Sequence, residues 1–369
     1  MKLTILALAS ILSFSLFAQQ TNETITIGTD NRSYIKYLPT GFDQNTESLP
    51  VVFILHGLGD VASNMAGVGT NDIADTARFI AIYPQGVQNS YGSNAWNNGT
   101  LLSSTVDDVA FIDALITEMI LSHNANPSRI YVTGFSMGGI MSYHLACNLN
   151  DRIAAIASMS GTMSTSDISS CVPAYQTPVM HLHGTIDGTV PYDSGALPSL
   201  SLVPETMAFW EGVHTCGSTP DSTQIPNTAN DGLTVDRFVW TGCTPNESLE
   251  LWRINGGDHI YFYEPVNDFT EANEIWKFFY KWTHPNPSAV SVNENDANIQ
   301  LHLFPNPSKE LITVTSSHST PISIIDVNGK VCLSTKVNAG KTTIDVSELE
   351  QGVYLVQSPT GYAERLVIQ

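Results

Sequence analysis

Short, unbroken apolar runs recur along much of this 369-residue chain, and they decide its fold class. They read "PVVFILHG", "RFIAIYPQG", "RIYVTG", "IAAIASMSG" and "PVMHLHG". A strand that is apolar at every position needs burial on both faces, as in a parallel sheet covered by helices. Helical patterns stand between the runs. "TVDDVAFIDALITEMILSH" places Val109, Ile112, Leu115, Ile116, Met119 and Ile120 on one side of a helix. A second helix is expected from about Met137 to Asn148, and a third in "EANEIWKFFYKW" after the strand "SLELWRING". "ETITIG" and "RSYIKYLP" read as an opening antiparallel pair. Strands alternating with helices predict an α/β fold with a mostly parallel central sheet.

This pattern stops near residue 284. Residues 285–299, within "THPNPSAVSVNENDANIQ", are rich in Pro, Asn and Ser and read as a linker. Residues 300–369 change period: "LITVTSS", "ISIIDVNGKVCLSTKV", "TTIDVS", "GVYLVQS" and "ERLVIQ" are β-rich, with "NGK" as a hairpin turn. A small β-sandwich is expected there. At the other end, Lys2 precedes a mostly apolar stretch from Leu3 to Phe17, and Ala18 offers a small residue before a cut at Gln19. Leu16 stands at −3, where a small residue is usual, so the cleavage pattern matches in part. Residues 1–18 read as a secretory signal peptide, which leaves 19–284 as the main domain of an exported, secreted protein.

Composition narrows the partners. The net charge is −20, with 15 Lys+Arg against 35 Asp+Glu. Nucleic acid is excluded as a partner, because phosphate binding needs a basic surface. No stretch after the signal peptide is long and apolar enough for membrane insertion. The acidity belongs to the main domain. In the C-terminal module Lys309, Lys330, Lys336, Lys341 and Arg365 nearly balance Glu310, Asp326, Asp345, Glu348, Glu350 and Glu364. Export permits disulfides. Spacing alone does not settle how Cys147, Cys171, Cys216 and Cys243 pair, but order along the chain favours Cys147–Cys171 and Cys216–Cys243. No C-x-x-C pair exists, and no metal or cofactor is expected.

The chemistry centres on "IYVTGFSMGG". Gly134, Ser136 and Gly138 form G-x-S-x-G between an expected strand and an expected helix, the setting a nucleophile elbow requires. The phosphate-loop pattern G-x-x-x-x-G-K is absent. A serine needs a base, and in this topology the acid and then the histidine follow on later strand ends. Asp187 follows "PVMHLHG"; Asp193 lies further from the strand end. His259, in "NGGDHIYF", follows the last strand, whereas His214 and His284 sit near helix ends. Ser136 is therefore the candidate nucleophile, His259 the base and Asp187 the orienting acid. The backbone N–H groups of Met137 and Leu58 are the candidate oxyanion donors. Trp96, in "AWNNG", and His56 are candidate substrate-binding residues; a core tryptophan and a loop-holding histidine are the plainer readings. Asp107 and Asp108 read as helix-start residues. His181 and His183 alternate in a buried strand without a third metal ligand.

Several of these pieces together resemble a known family. "HGLGD", "YPQG", "AWNNG", "VDDVAFIDALI", "YVTGFSMGG", "HLHGTIDGTVPY" and "GGDH" are similar to those of secreted polyhydroxybutyrate depolymerases, the LpqC-like esterases. That family is related to feruloyl and acetylxylan esterases of carbohydrate esterase family one. The resemblance implies an α/β-hydrolase fold, a catalytic set at Ser136, Asp187 and His259, and the two disulfides favoured above. The family often carries "GGGHTWPG" at its histidine; here "GGDHIYFYEP" stands instead, without the Trp-Pro portion. The C-terminal pieces "LFPNPSKELITV", "IIDVNGKVC", "IDVSELEQGVYLV" and "RLVIQ" resemble the type A sorting domain of the type IX secretion system. The implied partners are that secretion machinery and a polymeric or small ester substrate. The leading expectation is a secreted serine esterase acting on polymer-linked esters. The alternative is a non-catalytic polysaccharide-binding surface protein on a hydrolase scaffold.

Overall fold

The computed structural model describes residues 19–217, 219–288, 301–316, 320–326, 331–358 and 363–369. The expected signal peptide and most of the expected linker lie outside the described residues. The chain divides into two compact units, Met1–Ala289 and Val290–Gln369.

In chain order, the first unit begins with strands β1 (Gln20–Ile27), β2 (Asp30–Tyr37) and β3 (Val51–Leu55). Helices α1 (Ala62–Ala66) and α2 (Thr70–Ala77) lead to β4 (Ile80–Pro84), then to a short hairpin of β5 (Val87–Gln88) and β6 (Asn94–Ala95). There follow α3 (Asp108–His123), β7 (Ile130–Phe135), α4 (Met137–Asn148), β8 (Ala155–Met159) and α5 (Thr165–Ser170). The unit closes with β9 (Val179–Gly184), α6 (Val203–Val213), β10 (Asp221–Gln224), β11 (Thr234–Val239), β12 (Leu249–Asn255) and α7 (Glu271–Phe279).

Ten strands form one sheet in the order β1-β2-β4-β3-β7-β8-β9-β12-β11-β10. The strands from β4 to β12 in that order are mutually parallel. An antiparallel pair flanks them on each side. Period-two alternation assigns each parallel strand to both faces. Val51, Phe53 and Leu55 of β3 join the core cluster that contains Phe111 and Ile112 of α3, Met141 of α4 and Trp210 of α6. Val52 and Ile54 join the opposite cluster, with Ala74 of α2 and Ile275 and Phe278 of α7. The sheet is therefore buried on both sides, as its apolar runs require. Among the described residues, no helix is long and apolar enough to cross a membrane.

The second unit has a three-stranded sheet of β13 (His302–Phe304), β14 (Leu311–Ser316) and β17 (Gly340–Asp345). A four-stranded sheet contains β15 (Thr320–Asp326), β16 (Val331–Val337), β18 (Gly352–Gln357) and β19 (Ala363–Ile368). Both sheets are antiparallel. Ile312, Val314 and Ile344 of one meet Ile322, Ile324, Val356 and Leu366 of the other in a single core, as expected for a sandwich.

Candidate active site

Four parallel strands, β3, β7, β9 and β12, carry the site at their C-terminal ends, where loops leave the sheet on one edge. β7 turns into α4 through Ser136 alone, and that residue has φ 55° and ψ −118°. Such a conformation is strained for a residue with a Cβ and persists because the surroundings impose it. The Ser136 N–H donates to the Met159 carbonyl at 2.7 Å, and its carbonyl accepts the Ile140 N–H at 3.0 Å. Gly134 and Gly138 make the turn possible by close approach. A Cβ on Gly134 would strike the Gly138 backbone, and one on Gly138 would strike the Leu55 carbonyl group. The serine is thus pushed out of the sheet edge at the N-terminus of α4, where unpaired N–H groups favour negative charge.

Asp187 and His259 meet on the next loops. His259 Nδ1 lies 2.7 Å from Asp187 Oδ2. Oδ1 of the same carboxylate accepts the N–H groups of Thr189 at 2.8 Å and Val190 at 2.7 Å. Burial by itself would raise this carboxyl, but hydrogen bonds from His183, His259 and the Val190 N–H override it and hold it well below the usual carboxylate range. Asp187 is thereby kept ionised, and His259 must present a hydrogen on Nδ1. In the neutral tautomer with that hydrogen, Nε2 carries the lone pair. The ring packs on Phe135, the residue before Ser136, with centroids 4.9 Å apart. That contact sets His259 against the residue that precedes Ser136.

The loop after β3 supplies the other wall. Gly57 faces the serine so closely that a Cβ there would stand 3.4 Å from Ser136 Cβ. Among the described residues, no hydrogen bond occupies the N–H of Leu58 or of Met137. Neither N–H is taken up by a protein acceptor among those residues.

The structure corrects the reading of Trp96 and His56 as substrate-binding residues. Both are fully buried. Trp96 Nε1–H donates to the His56 carbonyl at 2.8 Å. His56 Nε2 accepts the Gly86 N–H at 2.9 Å, which leaves Nδ1–H to donate to the Gly57 carbonyl at 2.7 Å. Burial lowers the His56 pKa, so the neutral ring these bonds require is the favoured one. The pair braces the loop after β3 and, being fully buried, offers no face to a ligand. The rival histidines are also structural. His214 Nε2 donates to the Thr177 carbonyl, and burial pushes its pKa down to about 4. His284 Nε2 donates to the Asn150 carbonyl.

Asp107 caps α3 by accepting the Ala110 N–H, in line with a helix-start role. Asp108 does more than that reading allowed. Its Oδ1 pairs with buried Arg32 at 2.5 Å, and its Oδ2 accepts the Asn97 N–H at 2.6 Å. Sequence reasoning also missed Asp258. Its Oδ1 accepts the N–H groups of His259 at 2.8 Å and Gly188 at 3.1 Å, joining the base loop to the acid loop. Its place directly before the histidine was the available signal. The disulfides are Cys147–Cys171 and Cys216–Cys243. No group of three or more side chains suited to a metal occurs among the described residues.

With this geometry established, comparison places the chain among known proteins. A family model described as Phospholipase/Carboxylesterase matches residues 43–203. A probable feruloyl esterase C of Aspergillus niger is 30% identical over 252 residues, covering 68% of this chain and 84% of the relative. The chain belongs to this esterase family. A bifunctional acetylxylan esterase/xylanase of Neocallimastix patriciarum is 26% identical over 260 residues, 70% of this chain and 34% of the relative. The chain spans between 34% and 58% of the length of the curated relatives it matches first. Among solved structures, an acetyl xylan esterase from Aspergillus awamori shares the fold, with TM-score 0.52 and 18% identity, covering 70% of this chain and 99% of that one. A model described as a secretion system C-terminal sorting domain matches residues 302–369, so the second unit carries an export signal of the type IX kind.

Proposed function

We propose that the first unit is a secreted serine esterase that hydrolyses polymer-linked carboxylic esters through an acyl-enzyme. The observation that carries this reading is the strained Ser136 on its turn, together with an imidazole packed on the preceding Phe135 and oriented by an ionised Asp187. Ser136 Oγ attacks the ester carbonyl carbon while His259 Nε2 takes its proton. The carbonyl oxygen becomes an oxyanion and accepts hydrogen bonds from the N–H groups of Met137 and Leu58. As the tetrahedral species collapses, the C–O bond to the alcohol breaks and His259 returns the proton to the leaving oxygen. Water then repeats the sequence on the acyl-serine and releases the carboxylic acid. Every proton is carried by the chain's own residues, so neither metal nor cofactor is called for.

The relatives support this substrate class, since their names are those of an acetylxylan esterase/xylanase and a feruloyl esterase. The sequence resemblance adds hydroxyalkanoate polyester. Apolar side chains flank the site: Leu58 beside the oxyanion donors, Ile186 before Asp187 and Ile260 after His259 are all exposed. They suit an acyl group with apolar surface. The test is hydrolysis of p-nitrophenyl acetate by the full chain and its Ser136→Ala variant, with acetylated xylan, methyl ferulate and polyhydroxybutyrate compared on the parent. Turnover is expected to vanish in the variant while the fold is retained. Undiminished turnover, or failure of a fluorophosphonate probe to label Ser136 in the parent, would overturn the assignment and favour a binding protein.

A further inference from the structure

His181 and His183 of β9 take no part in the proposed reaction, yet both are fully buried behind Asp187. Their hydrogen bonds form one continuous chain. The Tyr143 hydroxyl on α4 lies 2.7 Å from His181 Nδ1. His181 Nε2 lies 3.1 Å from His183 Nδ1. His183 Nε2 lies 2.8 Å from the Val190 carbonyl oxygen and 3.2 Å from Asp187 Oδ2. That same Oδ2 takes His259 Nδ1–H at 2.7 Å.

Chemistry fixes the direction of each bond. A carbonyl oxygen only accepts, so His183 Nε2 carries a hydrogen. In a neutral ring Nδ1 then has a lone pair and accepts from His181 Nε2–H. His181 Nδ1 in turn accepts the Tyr143 O–H. All the donors point one way, from α4 toward the catalytic carboxylate. Burial, and then the adjacent His183, hold His181 well below the ordinary histidine range, while burial holds the Tyr143 phenol well above its own. Both therefore stay neutral, as the chain requires. All four ring nitrogens are engaged, which leaves none for a metal.

We infer that His183 is a positioning residue for the catalytic pair: held by His181 and Tyr143, it gives its Nε2–H to the Val190 carbonyl, turns that N–H toward Asp187 Oδ2 at 3.2 Å, and sets the orientation and charge that His259 meets. The inference rests on the proposed reading of Ser136, His259 and Asp187. The positive end of the His183 N–H, 3.2 Å from Oδ2, moderates the pull of that oxygen on the His259 proton. Without the His183 N–H, the carboxylate binds the imidazolium more strongly, and His259 stays protonated to higher pH. The acid limb of kcat/KM then moves upward by about one pH unit. A less firmly held Asp187 also lowers kcat by about tenfold at unchanged KM. Titratable groups near this pair include Asp258, whose Oδ1 accepts the His259 N–H, and Tyr192, whose ring stands 5.8 Å from that of His183. Neither is altered by the substitution.

The experiment is the pH profile of kcat/KM on p-nitrophenyl acetate for the full chain and for His183→Phe and His183→Gln. Glutamine keeps an N–H near the position of Nε2. The limb should move up in the Phe variant and return toward the parent in the Gln variant. An unmoved limb with Phe, or an equal displacement with Gln, overturns the inference, since a purely structural role changes the folded fraction without moving the limb. If His183→Phe does not fold, Tyr143→Phe tests the far end of the chain: an upward limb supports the relay and an unchanged one refutes it. Ser136→Ala is assayed alongside. Persistent turnover there refutes the catalytic reading itself, a result distinct from an unmoved limb in a parent-like enzyme.

Discussion

His259 Nδ1 and Asp187 Oδ2 stand 2.7 Å apart across 72 residues of sequence, and Asp258 locks the two loops that carry them. One oxygen of Asp258 takes the N–H of His259 and the N–H of Gly188. The acid and the base are thereby set against each other by backbone as well as by side chain. For the proposed reaction such an arrangement would be useful because it exists before substrate arrives.

Asp187→Asn should keep the shape and lose the chemistry. An amide can donate a hydrogen where the carboxylate accepts one, so the imidazole is turned to the wrong tautomer and its charged form loses its partner. The expected loss in kcat is on the order of 10³–10⁴, with little change in KM. Steady-state kinetics on p-nitrophenyl acetate reads this directly; a loss smaller than tenfold would show that Asp187 does not orient the base. The same carboxyl contributes to stability. Its folded pKa is depressed, so the contribution is present above the ordinary carboxylate range and is lost as pH falls through the folded value.

Glu271 has the opposite sign. It is fully buried at the start of α7, and burial raises its pKa to about 8 against the opposing hydrogen bond from the Phe262 N–H. That N–H reaches Oε2 at 3.2 Å, and the Glu271 N–H returns to the Phe262 carbonyl at 3.1 Å. The pair clamps the segment just after His259 onto α7. Because the folded pKa lies above the unfolded one, the stability that the neutral acid contributes is complete below about pH 4 and drains away as pH rises toward 8. Thermal unfolding of the parent should therefore fall by several degrees between pH 5 and 8. Glu271→Gln, which is neutral at every pH, should flatten that slope. An identical slope in parent and variant would refute the assignment.

Much of this architecture was legible in the sequence. The all-apolar runs identified the parallel strands because burial on both faces leaves no room for polar alternation. The Gly134-Ser136-Gly138 spacing identified the elbow because backbone contacts there exclude any Cβ. Other elements left no such trace. β10 reads "DSTQ" and is exposed along its whole length, so it has no apolar pattern to betray it. β11 pairs with β12 at the sheet margin, where one-sided burial weakens the signal. Trp96 and His56 were ambiguous for a different reason. An aromatic in a glycine- and asparagine-rich loop looks the same in sequence whether it braces the loop or lines a cleft. Full burial and the Trp96 bond to the His56 carbonyl distinguish the two. The relay behind Asp187 was half visible as "HLH", but its terminus, Tyr143, lies on another element.

Asp108 offers the most demanding test of how the scaffold supports the site. Its carboxylate is buried with the Arg32 guanidinium, which also donates to the Gln85 carbonyl and lies 4.0 Å over the Phe111 ring. Its second oxygen holds the Asn97 N–H and the Ser104 hydroxyl. From Asn97 the chain runs to Trp96 and through its indole bond to the loop that bears Leu58. Asp108→Ala would leave a buried cation without its partner, a change that costs about 3–5 kcal/mol in comparable pairs. Denaturant unfolding should show a loss of that size, and kcat should fall because the oxyanion loop is no longer braced. Replacing both partners, as Arg32→Met with Asp108→Leu, should recover much of the stability, since no charge is stranded. It should not recover kcat, because the apolar pair cannot hold the Asn97 N–H. Full recovery of both quantities in the double variant would mean that the ion pair supports the core alone and has no link to the site.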